Sequence, residues 1–332
     1  MQALEKTQKP STFDDVATMS RDDMQAVDAL ISTSLQSDVA LVSQVSEYIV
    51  MSGGKRLRPV IVLLAARAFG YTGEQHIRAA AIVEFIHTAT LLHDDVVDSS
   101  SRRRGQDSAN TVFGNQASVL VGDFLYSRAF QMMVTIDSMR IMQILADATN
   151  TIAAGEVMQL MNVHNPDTNE DAYRQVIYRK TARLFESGAQ IAAVLGNRSQ
   201  SDEEAMMSYG RHLGTAFQLV DDALDFNASA EELGKNLGDD LAEGKATLPL
   251  IYAMENGSAS DQALIRNAIL DGGLDQLQQI TAIVEATGAL EYTAQRAQEA
   301  ADSAVAALSN IPDSTYKEAL IAIAEFSVRR RS

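Results

Sequence analysis

The sequence predicts an all-α fold, a single domain built as an antiparallel helical bundle. From Asp22 onward, apolar residues return every three or four positions, which is the period of an amphipathic helix. The breaks between these stretches are short and carry glycine, proline or asparagine, and no stretch alternates apolar and polar residues as a strand would. Long helices with short connections favour one bundle over several separate domains.

Composition restricts the class of protein. The 332 residues include 44 acidic and 27 basic side chains, and the net charge of −17 disfavours a nucleic-acid partner because phosphates would be repelled. The chain has no cysteine and therefore no disulfide or thiolate metal site. Residues 1–10 are polar and lack the apolar core of a secretory signal, and no apolar run is long enough for a transmembrane segment. We therefore expect a cytoplasmic protein.

The first elements are a polar stretch and a capped helix. Residues 1–20 show no sustained period, so we expect a flexible N-terminal arm there and the helical domain over residues 21–332. A Ser-Asp pair can cap a helix over residues 38–51, and Gly53-Gly54 can end it in the left-handed conformation that glycine allows.

Two cations follow at the next helix junction. Lys55 and Arg58 lie three positions apart on one side of a helical turn, and Pro59 opens the next predicted helix, Pro59 to Phe69. A helix start leaves N–H groups free, so these groups and the cationic side chains can reach one anion together. The junction therefore predicts an anion site.

An acidic cluster ends the apolar helix predicted over residues 79–98. Asp94 and Asp98 are i, i+4 neighbours on one face, and Asp95 is turned from Asp94 by about 100°. Like charges at this spacing repel each other, and desolvation adds a cost that a bound cation would offset. Oxygen ligands without cysteine suit Mg²⁺, which commonly binds one or two carboxylates together with substrate phosphates. A solvated acidic helix end is the alternative interpretation.

The same arrangement returns far along the chain. Asp221, Asp222 and Asp225 follow another apolar helical run. Gly214, Gln218, Asp221 and Asp225 are spaced by four, three and four positions, so they share one helix face. Two clusters with the same apolar lead-in are far less expected by chance than one, and both are predicted to hold metal.

Cationic groups lie between and around the two clusters, where an anionic ligand would need them. They are Arg102, Arg103 and Arg104 in a polar loop, Lys180 beside Thr181 on a predicted helix, and Lys235 in a loop rich in glycine, lysine and aspartate. The planar fork of arginine suits bidentate contacts with phosphate, although a solvated charge run is the alternative for the arginine loop.

The remaining predicted helices complete the bundle. They span residues 119–134, 138–163, 171–195, 202–225 and, with short breaks, 248–327. Asn169 or Thr168 can cap the third of these helices.

Taken together and in order, these motifs resemble the trans-type polyprenyl diphosphate synthases, and most closely the bacterial octaprenyl diphosphate synthases of quinone side-chain synthesis. The resemblance covers the chain from about residue 38 to its end. The motifs are GGKRLRP at 53–59, EFIHTATLLHDDVVD at 84–98, RRG at 103–105, KTARLFE at 180–186, GTAFQLVDDALD at 214–225 and GKNLGDDLAEGKATLP at 234–249. Ser99 and Ala246 depart from the glutamate and the proline that are usual in the family.

The resemblance implies an isoprenoid synthase bundle with a large central cavity and a prenyltransferase that condenses an allylic diphosphate, such as farnesyl diphosphate, with successive isopentenyl diphosphates. It implies Mg²⁺ as cofactor, a homodimer, and transient membrane contact for product release. Its metal ligands would be Asp94, Asp95, Asp98, Asp221, Asp222 and Asp225. Isopentenyl diphosphate would contact Lys55, Arg58, His87 and Arg104, and the allylic diphosphate would contact Arg103, Lys180, Thr181, Gln218 and Lys235. The catalytic set would be Asp94, Asp98, Asp221, Lys180 and Lys235.

The role of His87 and the position of the product tunnel each have an open alternative. His87 lies in an apolar helix, where a lone histidine is more often a core or interface residue. The tunnel that sets product length is expected at Ala89, Thr90, Phe130, Met133 and Leu145. Short-chain members of the family carry aromatic rings where Ala89 and Thr90 stand, and methionine-rich stripes are more often plain core.

Three rival functions stay open from the sequence. An HD-type metal phosphohydrolase would need several histidine ligands, and the chain has five histidines in all. A non-catalytic prenyl-synthase subunit would have lost acids from one cluster, and this chain keeps both clusters complete. A synthase of another chain length, making geranylgeranyl, nonaprenyl or decaprenyl diphosphate, is the third.

Overall fold

The computed structural model of the chain describes residue 10, residues 12–226 and residues 238–329. Within these residues the chain is almost entirely helical, and its strands are limited to one short hairpin. The predicted all-α class is confirmed. None of the helices in these ranges combines the length and apolarity that a membrane span requires.

The first part of the chain forms helices and the hairpin. Their bounds are α1 Phe13–Met19, α2 Arg21–Ser34, α3 Ala40–Met51, α4 Leu57–Ala68, α5 Gln75–Val97, β1 Arg102–Arg103, β2 Gln106–Asp107 and α6 Ala109–Phe113. The hairpin pairs β1 and β2 antiparallel, with Arg103 opposite Gln106.

The second part consists of helices only. Their bounds are α7 Asn115–Val134, α8 Met139–Asn162, α9 Glu170–Ile177, α10 Arg183–Leu195, α11 Gln200–Leu224, α12 Asp239–Ala242, α13 Leu248–Asn256, α14 Ala259–Asp271, α15 Leu277–Ala286, α16 Ala289–Ala307 and α17 Thr315–Arg329. A π-helical turn, Tyr178–Ala182, joins α9 to α10, and a short 3₁₀ turn, Leu274–Gln276, precedes α15.

The central helix of the first half is α5, which packs against α2, α4, α7 and α10. Residues on several of its sides are buried, from Ala79 to Leu92, and this is why the stretch is apolar all round rather than on one stripe. The acidic residues that follow Leu92 therefore stand at the end of a rigid, fully packed helix.

The central helix of the second half is α11, which packs closely on α10 and α16. Two glycines permit this approach. A Cβ on Gly210 would lie 2.5 Å from the carbonyl oxygen of Phe185, and a Cβ on Gly214 would lie 2.6 Å from the Cα of Ala182. These contacts bring the second acidic cluster, at the end of α11, beside the π-helical turn that carries Lys180.

Three local expectations need correction. Residues 12–20 were assigned to the flexible arm, but α1 forms there because Thr12 and Asp15 make a reciprocal capping box and Val16 is buried. The helix predicted over 171–195 is continuous, but it contains the π-helical turn, which hydrophobic periodicity does not register. The polar loop after α5 contains the hairpin, because Gly105 and Arg104, both at positive φ, allow a tight reversal.

Candidate functional site

The first acidic pair stands at the C-terminal end of α5 and is already matched by lysines. Lys180 Nζ lies 3.5 Å from Asp94 Oδ2, and Lys245 Nζ lies 3.0 Å from Asp98 Oδ2. Burial raises the pKa of Asp94, Lys180 counteracts this, and the charge of Asp98 adds to it. Because the two aspartates share one helix face, as predicted, their negative charges favour nearby cations. Lys180 and Lys245 provide that positive charge here.

Glu156 of α8 belongs to the same group of charges, although it is not among the site residues predicted from the sequence. Its Oε2 accepts a hydrogen bond from Lys180 Nζ over 2.7 Å. Burial, partly offset by Lys180, raises the pKa of Glu156 to about 7. Its other oxygen, Oε1, is buried without a hydrogen-bond partner. Gly155 makes this contact possible, because a Cβ there would lie 2.9 Å from the backbone nitrogen of Lys180.

Lys245 forms a second centre of charge. It contacts both Asp98 and Glu243, and although burial opposes its ionised form, Asp240, Asp98 and Glu243 together raise its pKa. Burial raises the pKa of Glu243 to about 7. Lys245 is not among the site residues predicted from the sequence, although it is a second lysine beside a glycine in the motif GKNLGDDLAEGKATLP.

Asp95 does not share the orientation of Asp94 and Asp98. Its side chain is fully buried, and its Oδ1 lies 2.7 Å from Nε and 2.6 Å from Nη2 of Arg103. Burial opposes the charge of Arg103, but its hydrogen bond and charge interaction with Asp95 raise its pKa. Asp95, expected as a metal ligand, is here the partner of Arg103, because about 100° of helix rotation turns it toward the hairpin. The guanidinium of Arg103, expected at the allylic diphosphate, binds the same carboxylate.

The aspartates of the second acidic cluster also differ in their hydrogen-bond partners. Asp222 is buried and accepts hydrogen bonds from Tyr173 Oη at 2.5 Å and from Gln218 Nε2 at 2.8 Å. Burial, with the nearby charge of Asp240, raises its pKa to about 7. Asp225 ends α11 and accepts from the backbone nitrogen of Asp240 over 3.2 Å. Both residues stay predicted metal ligands, although each carboxylate accepts hydrogen bonds from protein groups here.

The expected allylic contacts meet at one cavity. Thr181 donates from Oγ1 to Gln218 Oε1 over 2.9 Å, so the π-helical turn and α11 are joined at this point. A cavity of about 130 Å³ is lined by these two residues together with Lys180, Asp222 and Lys245. The structure thus brings together most of the predicted allylic contacts. Lys235 lies outside the described residues.

The residues expected to bind isopentenyl diphosphate converge from three segments. Arg58, at the start of α4, donates to Nε2 of His87 over 3.0 Å, and its guanidinium lies 4.5 Å from the ring centre of Phe185. Arg104 donates to the carbonyl oxygen of Gly53. A Cβ on Gly54 would lie 2.7 Å from the Arg104 guanidinium, which would have to shift, and the φ of 127° at Gly54 is itself a conformation that favours glycine.

The charge of this group is strongly positive. Burial lowers the pKa of Arg58 to about 10, and the charge of Asp221 opposes that shift. Burial, aided by the neighbouring arginines, lowers the pKa of His87 well below its usual 6.5. Lys55 lies in the loop just before α4 and lines a surface groove with α1 and α2. Lys55 and Arg104 are exposed, whereas Arg58 and His87 are half-buried, so an anion held here would meet cations at the boundary between solvent and protein, where charge interactions are stronger than in bulk water.

The residues expected to form the product tunnel are only partly assembled as predicted. Ala89, Met133 and Leu145 are almost fully buried in one apolar cluster that joins α5, α7 and α8. Thr90 is half-buried, and its hydroxyl donates to the carbonyl oxygen of His87. The expectation that Phe130 lines this cluster is wrong. Its side chain is 37 % exposed, because its position on α7 turns it away from the cluster.

A divalent cation fits the chemistry of this site. In the described ranges, no set of three or more His, Cys, Asp or Glu side chains is arranged as a metal centre. The half-buried carboxylates of Asp94 and Asp98 are nevertheless the hard oxygen donors that such ions prefer, and each lies within ion-pair distance of an ammonium group. The orphaned Oε1 of Glu156 adds another oxygen donor beside them.

Comparison with known proteins agrees with this geometry. The sequence model of the family described as Polyprenyl synthetase matches residues 39–287. The chain is 54% identical to octaprenyl diphosphate synthase of Escherichia coli, over 93% of this chain and 96% of that protein. It is 48% identical to an all-trans-nonaprenyl-diphosphate synthase (geranyl-diphosphate specific) of Rhodobacter capsulatus, over 93% of this chain and 95% of that protein.

A solved structure matches over nearly the whole chain. The polyprenyl synthase from Caulobacter crescentus, complexed with calcium and isoprenyl diphosphate, aligns with a TM-score of 0.94 and 42% identity, covering 98% of this chain and 100% of that one. The resemblance inferred from the motifs is therefore confirmed. This chain belongs to the polyprenyl synthetase family.

Proposed function

We propose that this prenyltransferase is a long-chain trans-polyprenyl diphosphate synthase that condenses an allylic diphosphate with successive isopentenyl diphosphates to octaprenyl diphosphate, for a quinone side chain. The proposal rests mainly on two neighbouring groups of opposite character, one acidic with lysine partners and one basic. The acids Asp94 and Asp98 lie with Lys180 and Lys245 on one side, and the group of Arg58, His87 and Arg104 lies on the other. A reaction between two diphosphates needs two such anion sites.

The acidic side would hold Mg²⁺ through Asp94, Asp98 and Asp221. When bound, Mg²⁺ supplies neutralisation of the charge that develops on the departing diphosphate. The residues of the chain orient that diphosphate: Lys180 contributes charge, while Thr181 and Gln218, which are hydrogen-bonded to each other, line the same cavity. Preorganised groups of this kind need little reorganisation during the reaction.

The basic side would hold isopentenyl diphosphate through Lys55, Arg58, His87 and Arg104. The C1–O bond of the allylic substrate breaks, and its electron pair leaves with diphosphate. The double bond of isopentenyl diphosphate then forms the new C–C bond, and a proton is lost, for which the released diphosphate is the proposed base. The ring of Phe185 under Arg58 helps to keep water from this region.

Octaprenyl is proposed as the product because the Escherichia coli relative of that activity matches over almost all of both chains. A nonaprenyl product is the nearest alternative, since the Rhodobacter capsulatus relative is only moderately less similar. The proposal also includes a cytoplasmic location, a homodimer and transient contact with a membrane during product release.

The two rivals from other classes have little support. Nε2 of His93 lies 3.2 Å from the carbonyl oxygen of Val119, on the side of α7, so it does not join Asp94 as an HD-type site would need. A non-catalytic subunit would not need a lysine network around both acids of the first cluster.

One experiment tests the proposal. The purified chain is incubated with Mg²⁺, isopentenyl diphosphate and farnesyl diphosphate, and both diphosphate release and the extracted prenyl product are measured. We expect release that depends on both substrates and a main product of eight isoprene units. Phosphate release from either substrate alone would support a phosphohydrolase, and no turnover would support a non-catalytic subunit. A main product of another length would replace the octaprenyl assignment alone.

A further inference from the structure

Arg56 lies between the two basic residues of the GGKRLRP motif that were given a role. It has φ of 49°, in the left-handed region, and directly precedes α4. Its side chain is only 19% exposed, and its Nη1 lies 3.4 Å from Oε1 of Glu84. Its Nη2 donates to the carbonyl oxygen of Val50 over 3.4 Å. A motif arginine in a strained conformation, directed into the protein, requires a physical reason.

Glu84 supplies that reason. It is a buried acid on α5, with a side chain 7% exposed, and it precedes His87 by one helical turn. Its charge acts on the neighbouring arginines as well, since it opposes the effect of burial on the pKa of both Arg58 and Arg104. Buried acids are rare unless they are paired, and this one faces a cluster of cations.

We propose that Glu84 and Arg56 form a positioning pair for isopentenyl diphosphate, holding the loop that carries Lys55 against the turn of α5 that carries His87. The inference rests on the proposed function, because it assigns the pair to the substrate subsite named there. Neither member of the pair needs to touch the substrate.

The loop needs such a restraint. Gly53 and Gly54 have φ of 81° and 127°, and the segment before Arg56 forms no helix or strand. Arg104 packs on Gly54 from one side, and the charge of Arg56 repels that of Arg104. Asp28 is a second but weaker partner of Arg56, because its Oδ1 lies 3.8 Å from Arg56 Nη2 and its side chain is 58% exposed. Without the carboxylate of Glu84, we therefore expect this repulsion to move Arg56 and the adjoining Lys55 outward.

A simpler explanation makes the opposite prediction. If Glu84 only balanced the excess positive charge, then Glu84→Gln would leave a more positive subsite and would tighten isopentenyl diphosphate. If the pair positions the loop, the same change weakens that substrate. The sign of the change in KM therefore distinguishes the two explanations.

The test is a double-mutant cycle of Glu84→Gln, Arg56→Gln and both together, with KM measured separately for isopentenyl and allylic diphosphate. We expect each single variant to raise the isopentenyl KM roughly tenfold, with kcat and the allylic KM within about twofold of wild type. The double variant should be no worse than either single variant, because the contact is already broken. A lowered or unchanged isopentenyl KM in Glu84→Gln would overturn the inference.

One further outcome of the cycle and one control variant also bear on the pair. If Arg56→Gln raises the isopentenyl KM by the same factor with and without Glu84, Arg56 binds the substrate directly and the pair does not act as a unit. Asp23→Asn is the matched control, because it breaks another partly buried ion pair of α2, α4 and α5, and it should lower Tm with an unchanged isopentenyl KM.

The remaining outcomes separate failure of the inference from failure of the function. If Glu84→Gln does not fold, Arg56→Gln alone decides, since an unchanged isopentenyl KM there contradicts the pair. An active wild type with independent effects in the cycle rejects only the inference. A wild type that consumes no isopentenyl diphosphate rejects the proposed function, and the inference falls with it.

Discussion

The guanidinium of Arg58 donates a hydrogen bond from Nη1 to Nε2 of His87 across 3.0 Å. Arginine offers only donors, so His87 accepts at Nε2 and, as a neutral ring, carries its proton on Nδ1. The neighbouring arginines also hold the ring neutral. His87 therefore contributes in two ways: it fixes the direction of Arg58, and it presents an N–H donor on its other side.

We expect His87→Leu to raise the isopentenyl diphosphate KM about tenfold or more, because a buried arginine loses its acceptor. His87→Gln should keep most of the affinity, since its amide oxygen can accept from Arg58. Steady-state kinetics at saturating allylic substrate measures both. Equal losses in the two variants would show that the acceptor role is unimportant.

Neutral His87 also has a consequence for pH. Because burial and the arginines hold its pKa well below 6.5, its charge does not change between about pH 6.5 and about pH 8. We expect the NMR shifts of the His87 ring to stay constant over that range, whereas an exposed histidine would titrate. A His87 titration midpoint near 6.5 would contradict the proposed tautomer.

Asp94 and Asp95 are neighbours in sequence but differ in their partners, so their variants should differ. Asp94→Asn should lower kcat by roughly 100-fold or more, because it removes a carboxylate that is proposed to hold the Mg²⁺ needed for departure of the diphosphate. Its Tm should fall little, since burial of this carboxylate is unfavourable. Asp95→Asn should lower Tm clearly, because half-buried Arg103 loses the charge of its fully buried carboxylate partner.

Circular dichroism and thermal melts, together with kcat, separate these effects. An inactive Asp94→Asn that has also lost its helical signal would give no support to a role in metal binding. An Asp95→Asn that melts like wild type would show that Arg103 finds another partner.

The fold could be predicted from the sequence because α5 and α11 carry strong apolar patterns and end in unmistakable acidic clusters. Their side-chain partners could not be predicted. Periodicity places Asp94, Asp95 and Asp98 on a helix, but the hairpin that brings Arg103 to Asp95 depends on tertiary packing. Glu156 was missed for the same reason, since nothing near it in sequence shows that Lys180 will lie 2.7 Å away.

Acid stability should depend on a cluster between α2, α4 and α5. Arg67 donates from Nε to Asp23 Oδ2 over 2.8 Å and from Nη2 to Asp23 Oδ1 over 2.7 Å. His76 Nε2 lies 3.2 Å from Asp23 Oδ2. Burial acts to raise the pKa of Asp23, but the hydrogen bonds with Arg67 and His76 outweigh it, and the pKa is lowered. Burial lowers the pKa of His76.

Both shifts destabilise the fold in acid. The unfolded chain protonates His76 below its usual 6.5 and Asp23 below its usual 3.8, whereas the folded chain resists both. Stability is therefore full above about pH 7 and is lost first through His76 and then, at lower pH, through Asp23. We expect Asp23→Asn to cost about 2 kcal/mol near neutral pH, to keep most of that cost near pH 4, and to cost clearly less only at lower pH, where Asp23 of the folded chain is itself protonated. Urea unfolding at several pH values measures this, and an equal cost at every pH would contradict it.

Product length should be set by the space between α5, α7 and α8. Ala89 is fully buried and lies five positions before Asp94, or about 7.5 Å along the helix axis from the acidic cluster. Met133 and Leu145 belong to the same buried cluster, whereas Phe130 faces outward. We expect the growing tail to pass the small side chain of Ala89 before it reaches the larger residues Met133 and Leu145. An extended isoprene unit is comparable to one helical turn, about 5.4 Å, so each additional unit requires roughly one further turn of space.

Ala89→Phe should therefore give mainly products of about three to four isoprene units, since its ring blocks the path within about two helical turns of the metal site. Met133→Ala or Leu145→Ala should lengthen the product beyond that of the wild type by opening space at the far end. Phe130→Ala is the matched control on α7: it removes a large side chain of similar depth along the helix, but one that is 37% exposed, so the product should not change. Chromatographic sizing of the extracted prenyl chains measures all four variants. An active, folded Ala89→Phe enzyme with the wild-type product would show that Ala89 only permits close helix packing, and that the tail follows another path.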